Sequence, residues 1–210
     1  MVGDATLSHR RPEQPLEQEM HFRETVIPEV YLVDLDRNQD DRGFFTRAWC
    51  AKEFKAKGLF GQIAQVNISF NKAKHTMRGF HYQREPYAED KVLRCTRGAI
   101  HAIVLDLRPQ SAMFKRHVAV QIDAENCQML VVPKGCANAF LTLEDNTEVT
   151  YLISEFYKPE AQAGLRWNDP AFDFRWPFEP SVISPRDQTW ANFNPSLRDA
   201  IDVGSREPNH

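Results

Sequence analysis

Six consecutive residues, 78–83, bring together side chains that can move protons and hold anionic or carbonyl groups. They read Arg-Gly-Phe-His-Tyr-Gln, and the histidine, His81, can serve as a base near neutral pH. In an extended strand His81 faces one side of the sheet, and the two neighbouring aromatic rings face the other. Gly79 favours a β-bulge, which would bring Arg78 to the same face as His81. The pattern favours a proton-transfer site, and the alternative is a structural histidine in a half-buried strand.

The charge and cysteine content exclude several classes of partner. The net charge of −3 and the pI near 6.2 show no polyanion-binding signature, so we expect no nucleic-acid partner. The sequence has neither an apolar run long enough to span a bilayer nor a signal-peptide pattern, so we expect no membrane partner and a cytoplasmic location. Scattered cysteines without CxxC spacing favour reduced thiols over a zinc site or a disulfide framework. The four cysteines are Cys50, Cys95, Cys127 and Cys136.

The domain organisation follows from length and local composition. At 210 residues the chain can bury one substantial core, and we expect a single domain at 21–195. Residues 1–20 are polar and contain Pro12 and Pro15, which predicts a flexible N-terminal leader. The polar residues 196–210 are expected to form a flexible C-terminal tail.

The elements that must position His81 are mostly β-strands. Short runs rich in Val, Ile, Leu and Thr alternate with turn residues, and no glycine-rich nucleotide-binding loop follows a strand. The predicted strands cover 26–33, 99–107, 114–122, 128–132 and 147–154, with a turn at 40–43 and a helix at 51–57 that ends at Gly58. Aromatic residues and prolines after Tyr157 predict short helices or turns over the strands. We therefore expect an all-β sandwich or barrel.

Nine stretches of the sequence carry a family resemblance. They are 41–45 (DRGFF), 65–69 (QVNIS), 78–83 (RGFHYQ), 91–95 (KVLRC), 104–108 (VLDLR), 133–135 (PKG), 148–151 (EVTY), 167–169 (WND) and 184–187 (SPRD). In this order and spacing, from about residue 22 to 190, the sequence resembles the dTDP-4-dehydrorhamnose 3,5-epimerase family. The resemblance implies a cupin jelly-roll β-sandwich with a few short peripheral helices, normally a homodimer. It also implies a nucleotide-diphosphate 4-keto-6-deoxysugar as substrate, inverted at C3, C5 or both.

The same resemblance implies roles for individual residues. His81 resembles the general base, and Asp187 resembles the carboxylate that orients it. Tyr151 resembles the acid on the opposite face, and Lys91 resembles the cation beside the sugar carbonyl. The substrate-binding positions are Arg42, Arg47, Gln65, Asn67, Arg78, Asn138, Tyr157, Gln162 and Arg186. Among them, Arg42 matches a nucleotide contact made across the dimer, and Tyr157 matches a ring that stacks on the base.

These residue types suit the implied reaction. A ketone at C4 acidifies the protons on C3 and C5, so one group can remove a proton and another can return one to the opposite face. A fixed cation stabilises the enolate oxygen, and no redox cofactor is needed. The HxH pair with which cupins often bind metal is absent, because the position reads His81-Tyr82-Gln83. His75 is also poorly spaced to share a metal with His81, so we expect no catalytic metal.

Four positions depart from the family pattern. Asn138 stands where the family usually has histidine, and Ala102 replaces an aspartate that would orient it. Arg47 stands where a glutamate usually contacts the nucleotide, and Gln162 replaces another acidic residue. The proton-transfer pair is kept while the periphery changes, which favours an intact reaction on an altered substrate.

Other interpretations remain open from the sequence. Tyr151 could be a core tyrosine, Lys91 a solvated lysine, and Asp187 a cap of a turn. A 3,4-ketoisomerase would share the proton abstraction, and a non-catalytic nucleotide-sugar binder would need no proton transfer.

Overall fold

The computed structural model of the chain describes residues 19–194, which form two antiparallel sheets facing each other. The predicted leader and tail lie outside the described residues, except that the first strand begins at Met20, the last position assigned to the leader. In chain order the elements are β1 (Met20–Glu24), β2 (Tyr31–Leu35), β3 (Asn38–Asp40), β4 (Gly43–Phe45), α1 (Ala51–Ala56), β5 (Gln65–Asn71), β6 (Thr76–Gln83), β7 (Lys91–Arg97), β8 (Ala99–Asp106), β9 (His117–Asp123), β10 (Met129–Val132), β11 (Cys136–Thr142), β12 (Thr147–Ile153), β13 (Gln162–Gly164), β14 (Val182–Ile183) and α2 (Pro185–Thr189). The predicted all-β sandwich with short helices is confirmed.

The strand order places β6 and β12 in different sheets. The first sheet has the order β1-β2-β10-β7-β12-β5, and the second has the order β13-β6-β11-β8-β9, with β14 parallel to β6. The hairpin β3-β4 stands apart from both sheets. Because consecutive strands often lie in opposite sheets, side chains that are distant in sequence meet between them.

Three apolar clusters hold the layers together. The central cluster lies between the sheets and includes Leu93, Val104, Phe140 and Val149. A second cluster packs α1, through Phe54, against the outer face of the first sheet. In the third, aromatic residues of the segment after Tyr157 cover the outer face of the second sheet, as the sequence predicted; they are Trp167, Phe172, Phe174 and Trp176. Within residues 19–194, no helix has the length and apolar character needed to cross a membrane.

The predicted early strand at 26–33 is wrong over most of its length. Residues 25–30 form a turn between β1 and β2, in which the Val30 amide donates to the Ile27 carbonyl (3.1 Å). Pro28 has no amide hydrogen to donate to a ladder, and Glu29 has a left-handed φ of 67°. The apolar residues Ile27 and Val30 are buried in the central cluster from this turn, so a run of apolar residues here did not indicate a strand.

Candidate active site

A cavity of about 270 Å³ lies between the two sheets and contains most of the predicted site residues. His81 reaches it from β6 in the second sheet, and Tyr151 reaches it from β12 in the first sheet. The sequence-predicted residues that line it are Asn67, Arg78, His81, Lys91, Asn138, Tyr151, Tyr157 and Gln162. The two groups proposed to act on opposite faces of a sugar therefore lie on opposite walls of one cavity.

His81 is held by a buried carboxylate from the far end of the described chain. Its Nε2 lies 2.6 Å from Asp187 Oδ1, and Asp187 itself is 3% exposed. Asp187 is in the first turn of α2, where its amide donates to Ser184 Oγ (3.1 Å) in a side-chain cap. The Trp190 indole Nε1 donates to the same carboxylate oxygen as His81 (3.3 Å). The cap predicted as an alternative role for Asp187 belongs to Ser184, and the Asp187 carboxylate is free to orient the histidine.

The charge state of Asp187 determines which ring nitrogen of His81 carries a proton. Burial raises the pKa of this carboxyl, but hydrogen bonds from His81, Gly79 and Trp190 and the charge of His81 outweigh burial, and the pKa falls below its usual value. An ionised carboxylate only accepts hydrogen bonds, so His81 Nε2 donates to it. Nδ1 is then the basic nitrogen of the ring, which is the state needed for a general base.

The β6 strand carries the bulge that the sequence predicted at Gly79. Asn138 and Phe140, two positions apart on β11, pair with His81 and Arg78, three positions apart on β6. Gly79 has φ 112°, and a Cβ at this position would lie 2.5 Å from the Asn138 carbonyl oxygen, so a side chain is excluded. Its amide donates to Asp187 Oδ2 (3.3 Å). The bulge thus brings Arg78 and His81 to the same cavity, as expected.

Tyr151 is a neutral phenol in the cavity wall. Burial raises the pKa of its phenol well above the usual value, although the positive charge of Arg78 acts in the opposite direction. In the first sheet Tyr151 lies between Asn67 on β5 and Leu93 on β7. It also packs against the central cluster, as the alternative of a core tyrosine predicted. The same residue lines the cavity.

Lys91 forms an ion pair with Glu89, a residue that the sequence did not predict to be in the site. Its Nζ lies 2.8 Å from Glu89 Oε1 and 3.4 Å from Asn138 Oδ1. The Lys91 and Glu89 side chains are only 9% and 8% exposed, so the solvated-lysine interpretation is wrong. Glu89 itself lines the cavity. The signal available in the sequence was its spacing, because residues two apart on an extended segment share a side.

Tyr157 and Gln162 line the cavity, and Arg186, which does not line it, contacts Gln162. The Tyr157 hydroxyl donates to Gln162 Oε1 (2.7 Å), and Arg186 Nη1 donates to the same oxygen (2.5 Å). Gln65 does not line the cavity, but its Oε1 accepts from the Tyr157 amide (2.8 Å) and so fixes the segment that carries the ring. Arg78 anchors its guanidinium through Nε on Asn71 Oδ1 (2.7 Å). These side chains offer ring-stacking and cationic groups to a ligand that projects from the cavity.

Arg42 and Arg47 are not brought to the cavity within the single chain. Arg42 lies in the turn of the β3-β4 hairpin with a 90% exposed side chain, where it pairs with Asp40. Arg47 pairs with Glu53 (2.9 Å) and borders a separate groove beside β1. In the single chain both arginines are instead paired with acidic neighbours.

The two linked departures from the family pattern occupy one face of the second sheet. Asn138 pairs with Val104, and Ala102 pairs with Phe140, so Ala102 and Asn138 are diagonal neighbours across β8 and β11. His101 lies on the opposite face against Trp176, as alternation predicted. Within residues 19–194, no group of three or more His, Cys, Asp and Glu side chains is arranged to hold a metal ion.

Comparison with known proteins agrees with this geometry. The family described as dTDP-4-dehydrorhamnose 3,5-epimerase matches residues 24–195. The dTDP-4-dehydrorhamnose 3,5-epimerase of Escherichia coli (strain K12) is 37% identical over 171 residues, covering 80% of this chain and 92% of that protein.

Two solved structures illustrate the range of relatives. The dTDP-6-deoxy-D-glucose-3,5-epimerase RmlC of Legionella pneumophila Philadelphia 1, in complex with dTDP-4-keto-L-rhamnose, superimposes with a TM-score of 0.76 and 29% identity, covering 80% of this chain and 90% of that chain. ChmJ, a 3'-monoepimerase from Streptomyces bikiniensis in complex with dTDP-quinovose, gives a TM-score of 0.75 and 30% identity, covering 80% of this chain and 85% of that chain. The resemblance that nine short stretches predicted is confirmed, and the chain belongs to the dTDP-4-dehydrorhamnose 3,5-epimerase family of isomerases.

Proposed function

We propose that this chain inverts C3, C5 or both of a dTDP-linked 4-keto-6-deoxyhexose. The observation that carries the proposal is that His81, held by Asp187, and Tyr151 reach one cavity from opposite sheets. The substrate class follows from the family and from the dTDP-4-keto-L-rhamnose bound to the Legionella relative. At about 270 Å³ the cavity falls just below the ~300–1,000 Å³ of common ligand sites, which suits a hexose whose nucleotide lies outside it.

In this proposal His81 removes the proton from the carbon beside the ketone. Asp187 holds the ring through Nε2 and stabilises the imidazolium that forms, so Nδ1 accepts the proton. The electron pair of the broken C–H bond moves to the C4 oxygen and gives an enolate. Lys91 carries the nearby positive charge that stabilises this oxygen, and a donor in such a role contributes ~10²–10³-fold in kcat.

Tyr151 returns a proton to the opposite face of the ring. A tyrosine is protonated at neutral pH, as a proton donor must be, and burial raises the pKa of this phenol further, so it gives up its proton only to a strong base such as the enolate carbon. Reprotonation from the face opposite to His81 inverts the carbon, and the carbonyl is restored as the enolate collapses. Protonation from the His81 face would return the starting isomer, so the two walls set the stereochemical outcome.

The remaining predicted residues would bind the nucleotide part of the substrate. Arg78 and Arg186 present guanidinium groups that suit a diphosphate, and the half-exposed Tyr157 ring suits stacking on the base. We assign Arg42 and Arg47 to the cavity of a partner subunit in a homodimer. The cysteines within residues 19–194 are unpaired thiols, which supports the expected cytoplasmic location.

A second candidate is inversion at C3 alone. The 30% identical relative ChmJ is a 3'-monoepimerase, so the family includes single-centre enzymes on this scaffold. In that case C5 would not be presented to His81, although the same pair would act at C3.

Incubation of dTDP-4-keto-6-deoxyglucose with the protein in D₂O, followed by ¹H NMR, tests both candidates. Loss of the C3 and C5 proton signals with inversion at both centres supports the 3,5-epimerase, and loss at C3 alone supports the monoepimerase. A carbonyl that moves to C3 would instead identify a ketoisomerase. Tight binding with neither exchange nor inversion would identify a binding protein and overturn the proposal.

A further inference from the structure

Glu89 is a carboxylate in the cavity wall to which the reaction described above gives no role. Among the cavity-lining residues within the described range, it is the one with an acidic side chain. It lies on the connection between β6 and β7, two residues before Lys91, and its side chain is 8% exposed. Burying a carboxylate costs free energy unless the charge is paired. The contacts of Glu89 therefore indicate its role.

The two carboxylate oxygens of Glu89 contact different partners. Oε1 faces the Lys91 ammonium at 2.8 Å, and Oε2 accepts from Gln83 Nε2 at 3.0 Å. The Gln83 amide also donates to the Tyr87 carbonyl (3.0 Å), and its Oε1 accepts from the Lys158 amide (2.6 Å). Gln83 is 4% exposed, so the carboxylate is fixed from behind by a buried side chain that is itself held at both ends.

The backbone around Glu89 is fixed as well. The amide of Asp90 donates to Ser154 Oγ (2.8 Å), and the Asp90 carbonyl accepts from the Ser154 amide (3.0 Å). Asp90 Oδ1 accepts from the Lys134 amide (3.0 Å). These contacts leave Glu89 little freedom, and a rigid carboxylate can define the position of a flexible lysine.

The Lys91 ammonium has one short contact and one long contact. The contact to Glu89 is charge-assisted and short, whereas Asn138 Oδ1 lies at 3.4 Å, near the limit for a hydrogen bond. An ammonium has three N–H donors, so two contacts leave one for a ligand, and the weak Asn138 contact is the one that a ligand oxygen displaces most easily. Glu89 therefore stays in place while the rest of the ammonium faces the cavity.

We infer that Glu89 is a positioning residue that anchors the Lys91 ammonium, so that its remaining donors point at the enolate oxygen. This inference rests on the proposed function, because it gives Glu89 a role in stabilising an enolate. Its effect passes through Lys91: without the carboxylate the four-carbon lysine side chain has no fixed position, and the benefit of a preorganised cation is reduced.

A double-mutant cycle between Glu89→Gln and Lys91→Met tests the inference. Glu89→Gln keeps an oxygen for Gln83 and removes the charge that holds Lys91. We expect kcat for C3 proton exchange on dTDP-4-keto-6-deoxyglucose to fall ~10–100-fold, with KM changed less than about threefold, because misplacement of a catalytic group affects the transition state. In the Lys91→Met background the same change is expected to cost less than about twofold.

Two controls separate positioning from loss of folding. Glu85→Gln removes an exposed carboxylate from the same connection and is expected to leave kcat unchanged. The double variant replaces the buried ion pair by neutral groups. We expect its melting temperature to be higher than that of Glu89→Gln alone, because the single variant leaves a buried lysine unpaired. A fall in kcat that tracks the melting temperature across these variants would reduce Glu89 to a structural role.

The outcomes distinguish this inference from the proposed function. Equal costs of Glu89→Gln with and without Lys91, or an unchanged kcat, overturn the inference while leaving the epimerase intact. A wild-type protein that neither exchanges nor inverts the substrate overturns the proposed function, and the role of Glu89 falls with it.

Discussion

At the scale of single residues, the His81–Asp187 contact joins positions 106 apart in the sequence. The carboxylate accepts from the His81 ring, from the Trp190 indole and from the Gly79 amide. A buried carboxylate with this many donors is held in its ionised form. The pair is consequently both a stabilising contact and the device that sets the tautomer of the proposed base.

The depressed pKa of Asp187 predicts a pH-dependent contribution to stability. A carboxyl whose folded-state pKa is lowered stabilises the fold above its unfolded pKa of ~3.9, and this contribution is lost as the pH falls through the lower folded value. Urea unfolding of wild type and Asp187→Asn should therefore show a stability difference at pH 5 that shrinks at pH 3. A difference that grows as the pH falls would contradict the assigned ionisation.

Individual residues also show how much of the site could be predicted from the sequence. Family register predicted His81, Asp187, Tyr151 and Lys91, and the structure brings all four together. Family register did not include Glu89, although its spacing of two residues from Lys91 was a signal, because its partner Gln83 lies across a turn and the lysine appeared free to reach solvent. Residue type alone does not reveal which charges become buried together, since that depends on how the two sheets close.

At the scale of elements, the segment that follows Tyr157 holds the Asp187 carboxylate in position. Its strand β13 pairs with β6 and brings Gly164 opposite His81. A Cβ at Gly164 would lie 2.4 Å from Trp190 Cε2 and 2.5 Å from the Phe80 carbonyl oxygen. The absence of a side chain there lets Trp190 reach the carboxylate of Asp187.

Gly164→Ala tests the coupling between this segment and the site. The added methyl must displace Trp190 or the backbone, and we expect a loss of ~1–3 kcal/mol in unfolding free energy together with a several-fold lower exchange rate. Gly58→Ala serves as the control, since Gly58 has φ 72° with open space around it and does not line the cavity. That variant should lose stability through backbone strain alone and keep its exchange rate. Thermal melts and NMR exchange on both proteins make the comparison.

Element boundaries were predictable where turn chemistry was local. The helix predicted at 51–57 is α1, which ends at Ala56 with Lys57 as its cap before Gly58, and the turn predicted at 40–43 lies in the β3-β4 hairpin. The strand β11 was missed because small and polar residues from Cys136 to Asn138 open it, although every one of its residues is buried. A strand buried on both faces loses the alternation that identifies strands from sequence.

At the scale of the whole molecule, the single chain exposes apolar residues to solvent at two places, on strand β5 and on the β3-β4 hairpin. Strand β5 is an edge of the first sheet and exposes Val66, Ile68 and Phe70, while the β3-β4 hairpin exposes Phe44 and Phe45. An uncovered edge strand with apolar side chains invites pairing with another chain. Strand β5 borders the cavity through Ile68, so a partner bound at this strand would lie beside the site.

We expect the protein to be a two-fold dimer in which the β3-β4 hairpin of one subunit approaches the cavity of the other. Ile68→Glu and Phe45→Glu should each shift the protein to monomers, and Arg42→Ala should raise KM with little change in kcat. Val26→Glu is the control, because Val26 is an exposed apolar residue beside the opposite edge of the first sheet. Light scattering that shows a wild-type monomer at working concentration would overturn this arrangement.

The central claim is that His81 and Tyr151 act on opposite faces of one carbon, and solvent exchange in the two single variants tests it most directly. In D₂O, Tyr151→Phe keeps the base and loses the donor, so NMR should show the C3 proton exchanging while inversion falls ~10²-fold or more. His81→Asn should lose exchange and inversion together. Inversion at the wild-type rate in Tyr151→Phe, or exchange at the wild-type rate in His81→Asn, would contradict the two-wall mechanism.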